Sequence, residues 1–319
     1  MPQVDMPLEK LKAYAGRNPR PDDFDAYWER ALGEMRAVDA RLELVKADFE
    51  VPFAECYHLY FTGVRGARVH AKFVRPTRRE GPAPAVVEFH GYTGRSADWV
   101  GLLAQSARGY LSAAMDCRGQ GGRSEDAGGV RGTTHSGHII RGLDDHEDRL
   151  LFRDIFLDTA QLVGLVMGMP EVDAERVGVQ GGSQGGALTL ACAALEPRVK
   201  RAASTYPFLC DYQRVWEMDL AKDAYAELKT FFRHFDPQHQ REAAIFTRLG
   251  YIDVQHLAPR IRAEVLMGVG LMDTVCPPST QFAAYNKITA KKSLEIYPDF
   301  GHEGLPGFGD AVYAFMNGL

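Results

Sequence analysis

Apolar and polar positions change rhythm along this chain. Near the start, Phe24, Tyr27, Trp28, Leu32 and Met35 recur at helical spacing, with Asp22 and Asp23 placed to cap them. Residues 1–40 therefore read as a leader ending in a helix. Strand-like stretches follow at 41–53 and 56–62, then a turn at 64–67 and another strand at 68–74. Beyond residue 80 the rhythm becomes a series of short apolar runs at 85–89, 110–115, 177–180, 202–206, 265–269 and 293–297. These runs do not alternate, and helix-like segments separate them. Strands covered on both faces have that pattern. An antiparallel start followed by β-α alternation predicts an α/β fold with a mostly parallel central sheet flanked by helices.

Two stretches exceed a minimal sheet. Residues 121–150, rich in Gly, His and Asp, read as a long surface loop. Residues 211–250 carry helical patterning through Tyr225, Leu228, Phe231, Phe232 and Phe235, then Ile245, Phe246 and Leu249. They predict a helical insertion over one edge of the sheet, the usual place for a lid or an interface. Neither stretch has the composition of a linker, so residues 1–319 are expected to form one domain.

Composition narrows the function. The 319 residues include 45% apolar and 25% charged side chains, the balance of a globular chain rather than a disordered one. Lys plus Arg number 37 against 42 acids, a formal net charge of −5 that offers no general footprint for nucleic acid. Five scattered cysteines without a C-x-x-C pair argue against a disulfide framework or a cysteine zinc site. No run reaches the ~18 apolar residues of a membrane span, and the first residues lack the apolar stretch of a signal peptide. A cytoplasmic protein without nucleic-acid or membrane partners is expected.

The chemistry centres on Gly181-Gly182-Ser183-Gln184-Gly185. This is a G-x-S-x-G sequence with a β-run before it and an Ala/Leu helix at 187–195 after it. A sharp strand-to-helix turn of this kind exposes a serine hydroxyl and needs small neighbours, and here four glycines flank Ser183 and Gln184. A neutral hydroxyl is a weak nucleophile and needs a base with an orienting acid. The expected chain order is Ser, acid, His. Asp273 lies in the loop after the 265–269 run, and His302 in the loop after 293–297. Asp299 is the rival acid, but it shares a loop with His302 and is poorly placed to brace it. Oxyanion donors are expected from the backbone N–H of Gln184 and, in the turn His90-Gly91-Tyr92, from that of Tyr92. His90 reads as a residue that orients this turn. Tyr206 and Phe208 are candidates for the wall of an acyl pocket.

Other signals carry less. His135, His138, Asp144, Asp145, His146, Glu147 and Asp148 cluster without metal-ligand spacing and read as a solvated polar loop. The glycines at 119–122 and 128–129 match neither a dinucleotide fingerprint nor a P-loop. No metal and no cofactor is expected.

Together these residues resemble the acetyl xylan esterase/cephalosporin C deacetylase family (carbohydrate esterase family 7) of the α/β-hydrolases. The resemblance rests on Arg118-Gly119-Gln120, on the elbow 181–186, on His302-Glu303 and on His90-Gly91-Tyr92-Thr93-Gly94. Echoes at Asp23-Phe24-Asp25, Arg141-Gly142-Leu143 and Tyr206 to Arg214 extend it over nearly the whole chain. Leu150-Leu151-Phe152 departs from it. The resemblance implies a serine esterase that removes acetyl groups from small acetylated carbohydrates or cephalosporin-type esters. It implies Ser183 as nucleophile, Asp273 as acid, His302 as base, and Tyr92 with Gln184 as oxyanion donors. Arg118 and Gln120 would hold loops near the site, and Glu303 the loop of His302. It also implies a homo-oligomer, a hexamer. Other α/β-hydrolase activities (a general short-chain carboxylesterase, lactone hydrolase, thioesterase or peptidase) remain alternatives.

Overall fold

A computed structural model describes residues 4–127 and 135–319. Its centre is a nine-stranded sheet: β1 Glu43–Lys46, β2 Ala54–Thr62, β3 Arg68–Pro76, β4 Ala83–Phe89, β5 Leu111–Met115, β6 Val172–Gly182, β7 Arg201–Thr205, β8 Glu264–Gly270 and β9 Lys292–Tyr297. The strand order is β1-β2-β3-β5-β4-β6-β7-β8-β9. β1, β2, β3 and β5 pair antiparallel in turn, and β5-β4-β6-β7-β8-β9 is parallel throughout. The mostly parallel sheet with its antiparallel start is what the pattern predicts, and the fold is that of the α/β-hydrolases, as the resemblance implies. Burial explains the two rhythms. Every residue of β5 is buried, and so is all of β8 except its first residue, because helices cover both faces. β2 instead mixes buried and half-buried positions.

The stretch expected to be a strand at 41–53 forms one only over Glu43–Lys46, and all four of those residues are exposed. The chain turns at Val51–Ala54, where Pro52 has no N–H to extend a ladder. In the leader, the helix is Phe24–Arg36. Asp23 stands at its N-terminus without capping it, since its carboxylate accepts the Tyr251 hydroxyl instead.

The parallel core has two helices stacked outward from one face. Gln184–Leu195 is buried along its whole length. Leu151–Met167 packs over it and takes the Leu151 and Phe152 side chains into the core, where Phe152 meets Phe156. Trp28 of the leader helix stacks on Phe156 at 6.0 Å.

The segment 211–250 leaves β7 and returns to β8, strands inside the sheet rather than at its edge. It contains the helices Tyr212–Glu217, Ala226–Phe235 and Glu242–Leu249. All its predicted apolar positions are buried except Phe235. Asp211 ties it to the leader: its carboxylate accepts from the backbone N–H groups of Arg17 and Asn18 and from the Tyr14 hydroxyl.

The described part of 121–150 is more than a solvated loop. Ile139, Leu143, Leu150 and His138 are fully buried, and the Glu147 carbonyl accepts the Tyr27 hydroxyl. Apolar residues spaced through a polar sequence pin it to the core.

Candidate active site

The parallel register brings five strand ends together: Phe89 pairs with Gly181, Gly182 with Thr205, Thr205 with Gly268, and Gly270 with Tyr297. The loops leaving these ends carry His90 to Tyr92, Ser183, Tyr206, Asp273 and His302.

Ser183 sits between β6 and the helix Gln184–Leu195 at φ 58°, ψ −119°. An L-residue pays strain for that backbone, so packing must hold it. Three of the four glycines show how. A Cβ on Gly185 would lie 2.0 Å from the Phe89 carbonyl oxygen, one on Gly181 would lie 2.6 Å from the same atom, and one on Gly186 would lie 2.6 Å from the Thr205 carbonyl oxygen. Strand and helix backbones approach too closely for any side chain. Gly182 differs: a Cβ there would meet only the Tyr206 ring and Thr205, at ordinary contact distance.

The Ser183 hydroxyl lies 3.0 Å from His302 Nε2, and His302 Nδ1 lies 2.8 Å from Asp273 Oδ2. With Nδ1–H donating to the carboxylate, Nε2 is left to accept the serine proton. Asp273 is fully buried. Its Oδ1 accepts from the backbone N–H groups of Val275 and Cys276, each at 2.8 Å, and Gln281 Nε2 reaches Oδ2 at 3.3 Å. These donors fix the carboxylate's orientation. The rival Asp299 is exposed. Tyr206, at φ 31°, lays its ring 4.5 Å from that of His302. Ser183, His302 and Tyr206 open on a cavity of about 720 Å³.

On the other side of Ser183, two loops are locked against the elbow. Gln184 Nε2 donates to Gln120 Oε1 at 3.1 Å, and Gln120 Nε2 donates to Gln184 Oε1 at 2.7 Å. Gln120 Oε1 also accepts from the backbone N–H of Thr93, in the Tyr92 turn. His90 accepts from the Cys117 N–H at Nε2 and donates from Nδ1 to the Gly91 carbonyl. Burial keeps its pKa below the ordinary histidine value, so it remains a neutral brace of the turn. Gly121 and Gly122 serve this packing. A Cβ on Gly121 would strike the Gly94 carbonyl oxygen, and one on Gly122 would strike the Asp116 carboxylate. The further glycines 128 and 129 lie outside the described residues.

Tyr92 is in the turn after β4, and Gln184 is the first residue of its helix, where backbone N–H groups lack intrahelical partners. The Tyr92 hydroxyl donates to Glu227 of the inserted helix Ala226–Phe235. Glu227 also accepts from the N–H groups of Ile139 and Ile140. One carboxylate thus joins three segments distant in sequence. Phe208 is fully buried behind Tyr92, their rings 5.4 Å apart. It does not line the cavity, and its contribution is a backbone N–H to the Ser183 carbonyl.

Arg118 and Glu303 are at different depths. Arg118 is fully buried and holds Asp158 through two bonds of 2.7 and 2.6 Å, with Asp154 close by. Burial outweighs this pairing at Asp158, whose carboxyl is pushed up to about 6. Arg118 anchors the 117–122 loop to the helix Leu151–Met167 and stays out of the cavity. Glu303 is exposed and accepts from the Gly301 N–H, within its own loop.

Among the described residues, Asp273, Cys276 and His302 have potential metal-ligand atoms within 4.8 Å of one another, and no such group forms in 135–148. There Asp144 pairs with Arg241 and Asp148 with Arg30. The sequence alone assigns Cys276 no role at the site. Its thiol contacts the Ser183 hydroxyl, and burial raises its pKa. Its place three residues after Asp273, in the loop that must approach the nucleophile, was the available signal. Glu227 carried no such signal.

Fold and site together define a hydrolase of the α/β-hydrolase class. The acetyl xylan esterase (AXE1) family matches residues 1–319. The chain is similar to acetyl xylan esterase 1 from Thermoanaerobacterium sp. JW/SL YS485, with 63% identity, 98% of each chain covered and a TM-score of 0.95. It is also similar to an acetyl xylan esterase from Paenibacillus sp. R4, at 34% identity and a TM-score of 0.92, covering 98% of this chain and 99% of that one. A curated relative, acetyl esterase Axe7A of Xylanibacter ruminicola, is 28% identical over 296 residues, which is 91% of this chain and 64% of the relative. The chain spans less than two thirds of that relative's length. The chain belongs to the acetyl xylan esterase family.

Proposed function

We propose that this chain is a serine esterase that removes acetyl groups from small acetylated sugars. The observation that carries the reading is the unbroken line Ser183 Oγ, His302 Nε2, His302 Nδ1, Asp273 Oδ2 at 3.0 and 2.8 Å, opening on a cavity. The names of its relatives supply the acetyl group and the sugar.

In this reading His302 Nε2 takes the Ser183 proton as Oγ attacks the acetyl carbonyl carbon. The carbonyl oxygen gains the negative charge and rests on the backbone N–H groups of Tyr92 and Gln184. Asp273 holds the imidazole tautomer and stabilises its cation. The ester C–O bond breaks, and His302 gives its proton to the departing alcohol oxygen. Water then attacks the acetyl-serine, again losing a proton to His302, and acetate leaves with Ser183 restored. The Tyr206 ring, which lines the cavity beside His302, supports a short acyl pocket. Selectivity there comes from excluding longer chains, since each extra methylene that fits gains only about 1–3 kcal/mol.

The test is hydrolysis of p-nitrophenyl acetate, butyrate and octanoate by the wild type and Ser183→Ala. A steep preference for acetate, lost in the variant, is expected. Equal or faster octanoate turnover sinks the acetyl-selective reading, and an undiminished rate in Ser183→Ala sinks the nucleophile. We also propose a cytoplasmic location, supported by five unpaired buried thiols, and a homo-oligomer, a hexamer, supported by the family resemblance. Light scattering that returns a monomer mass contradicts the latter.

A further inference from the structure

The cavity at Ser183 continues past the nucleophile, on the sheet face covered by the helices Trp99–Ala107 and Phe308–Met316. Two of the polar side chains in its wall, Glu88 of β4 and Gln180 of β6, are directly paired in the parallel register. They sit on neighbouring strands, about 4.8 Å apart. Gln180 Nε2 donates to Glu88 Oε2 at 3.1 Å, which uses one acceptor of the pair. Gln180 Oε1 is buried without a hydrogen-bond partner. Glu88 has no ion pair with a Lys, Arg or His among the described residues, and burial raises its pKa.

Buried acceptors without donors cost free energy, and chains keep them where something else supplies the donors. The surroundings fit a ligand better than a packing fault. Gly182 lies between Ser183 and this pair, and its own backbone does not demand glycine: its φ is not in the left-handed region, and a Cβ would meet only ordinary contacts. Its smallness keeps the passage open. Tyr206, Leu305 and Phe308 add apolar surface for the faces of a ring.

We propose that Glu88 and Gln180 form a subsite for the alcohol portion of the substrate, accepting hydrogen bonds from neighbouring hydroxyls of a neutral pyranose. The proposal rests on the acetyl-sugar reading above and deepens it by naming the residues that hold the sugar. Two acceptors side by side match two hydroxyl donors on adjacent ring carbons. A lone alkyl alcohol offers neither.

The experiment compares kcat/KM for acetylated methyl xyloside with that for p-nitrophenyl acetate, in the wild type, Glu88→Leu and Gln180→Met. The ratio of the two is expected to fall more than fivefold in each variant, chiefly through KM of the sugar ester. A smaller fall overturns the subsite. Should either variant fail to fold, inhibition of wild-type p-nitrophenyl acetate hydrolysis by unacetylated methyl xyloside is measured against Glu88→Gln. Competitive inhibition, weakened at least threefold in the variant, is expected, and inhibition of equal strength or none overturns the proposal. Stronger inhibition by glucosamine than by methyl xyloside also overturns it, because Glu88 would then be serving a cation. A wild type that hydrolyses p-nitrophenyl acetate but fails these tests loses only the subsite. A wild type that turns over no ester loses the esterase reading and the subsite with it.

Discussion

The two sides of Ser183 are built differently. On one side, Asp273 is held by residues two, three and eight positions along its own loop and helix, and Glu303 closes the His302 loop within two residues. On the other side, Tyr92 is held by Glu227, 135 residues away, and the elbow's Gln184 by Gln120, 64 residues away. The Asp273–His302 side is locally encoded, whereas the Tyr92–Gln184 side is assembled from the 90–94 turn, the 117–122 loop and the helix inserted after β7. The first needs only the right short segments at the ends of β8 and β9. The second exists only when the insertion is in place, so that helix is part of the site's construction.

Breaking the local side at its centre has the largest expected effect. Asp273→Asn leaves the shape but disturbs the imidazole tautomer, and kcat on p-nitrophenyl acetate is expected to fall about 10⁴-fold. A fall under tenfold contradicts the role of the carboxylate. On the assembled side, Gln120→Leu removes both amide bonds to Gln184 and leaves the buried Gln184 Oε1 without its donor. Misplacing a turn by ~1 Å costs roughly 10²-fold, and a loss of that order in kcat, with KM little moved, is the expected result. Glu227→Gln keeps the helix packed but weakens the charge-assisted bonds to Tyr92, Ile139 and Ile140. About a tenfold loss in kcat is expected, and unaltered kinetics would mean that the Tyr92 turn holds itself.

Glu303→Ala sharpens the comparison from the other direction. Its single bond is exposed and local, so less than about a threefold change in rate is expected.

The smallest effect concerns stability. Behind the Tyr92 turn, Asp116 accepts from the Ser96 and Arg123 N–H groups and from His70, which in turn contacts His58 at 2.9 Å. These bonds hold the Asp116 carboxyl well below the usual carboxylate range. Burial, with Arg123 and His70 nearby, lowers His58 from 6.5 to about 4. The unfolded chain therefore takes up this proton first as pH falls. The associated stability is full above about 6.5 and is lost between there and about 4. His58→Gln is expected to flatten the fall of Tm across that window, and an unchanged slope contradicts it.

Much of the fold was legible because burial writes itself into sequence. Strands covered on both faces lost alternation, and the runs at 85–89, 265–269 and 293–297 found strands within one or two residues of their ends. The expected strand at 41–53 misled, because an exposed edge strand has no buried face to mark where it stops. Phe208 misled for a related reason: an aromatic beside a site reads the same whether it faces the cavity or the core behind it.

By itself, the amino-acid sequence determined the elbow glycines, the order of Ser183, Asp273 and His302, and the strand ends that carry them. These are local matters, in which a backbone too close for a Cβ permits only glycine and a short loop after a strand can go few ways. Only the tertiary structure decided that Gln120 pairs with Gln184, that Glu227 holds Tyr92, that Cys276 touches Ser183, and that Glu88 and Gln180 share a cavity wall. Each of these joins residues whose spacing along the chain carries no period or motif. A hydrogen bond depends on where two atoms arrive in space, and that is known only once every element between them has packed.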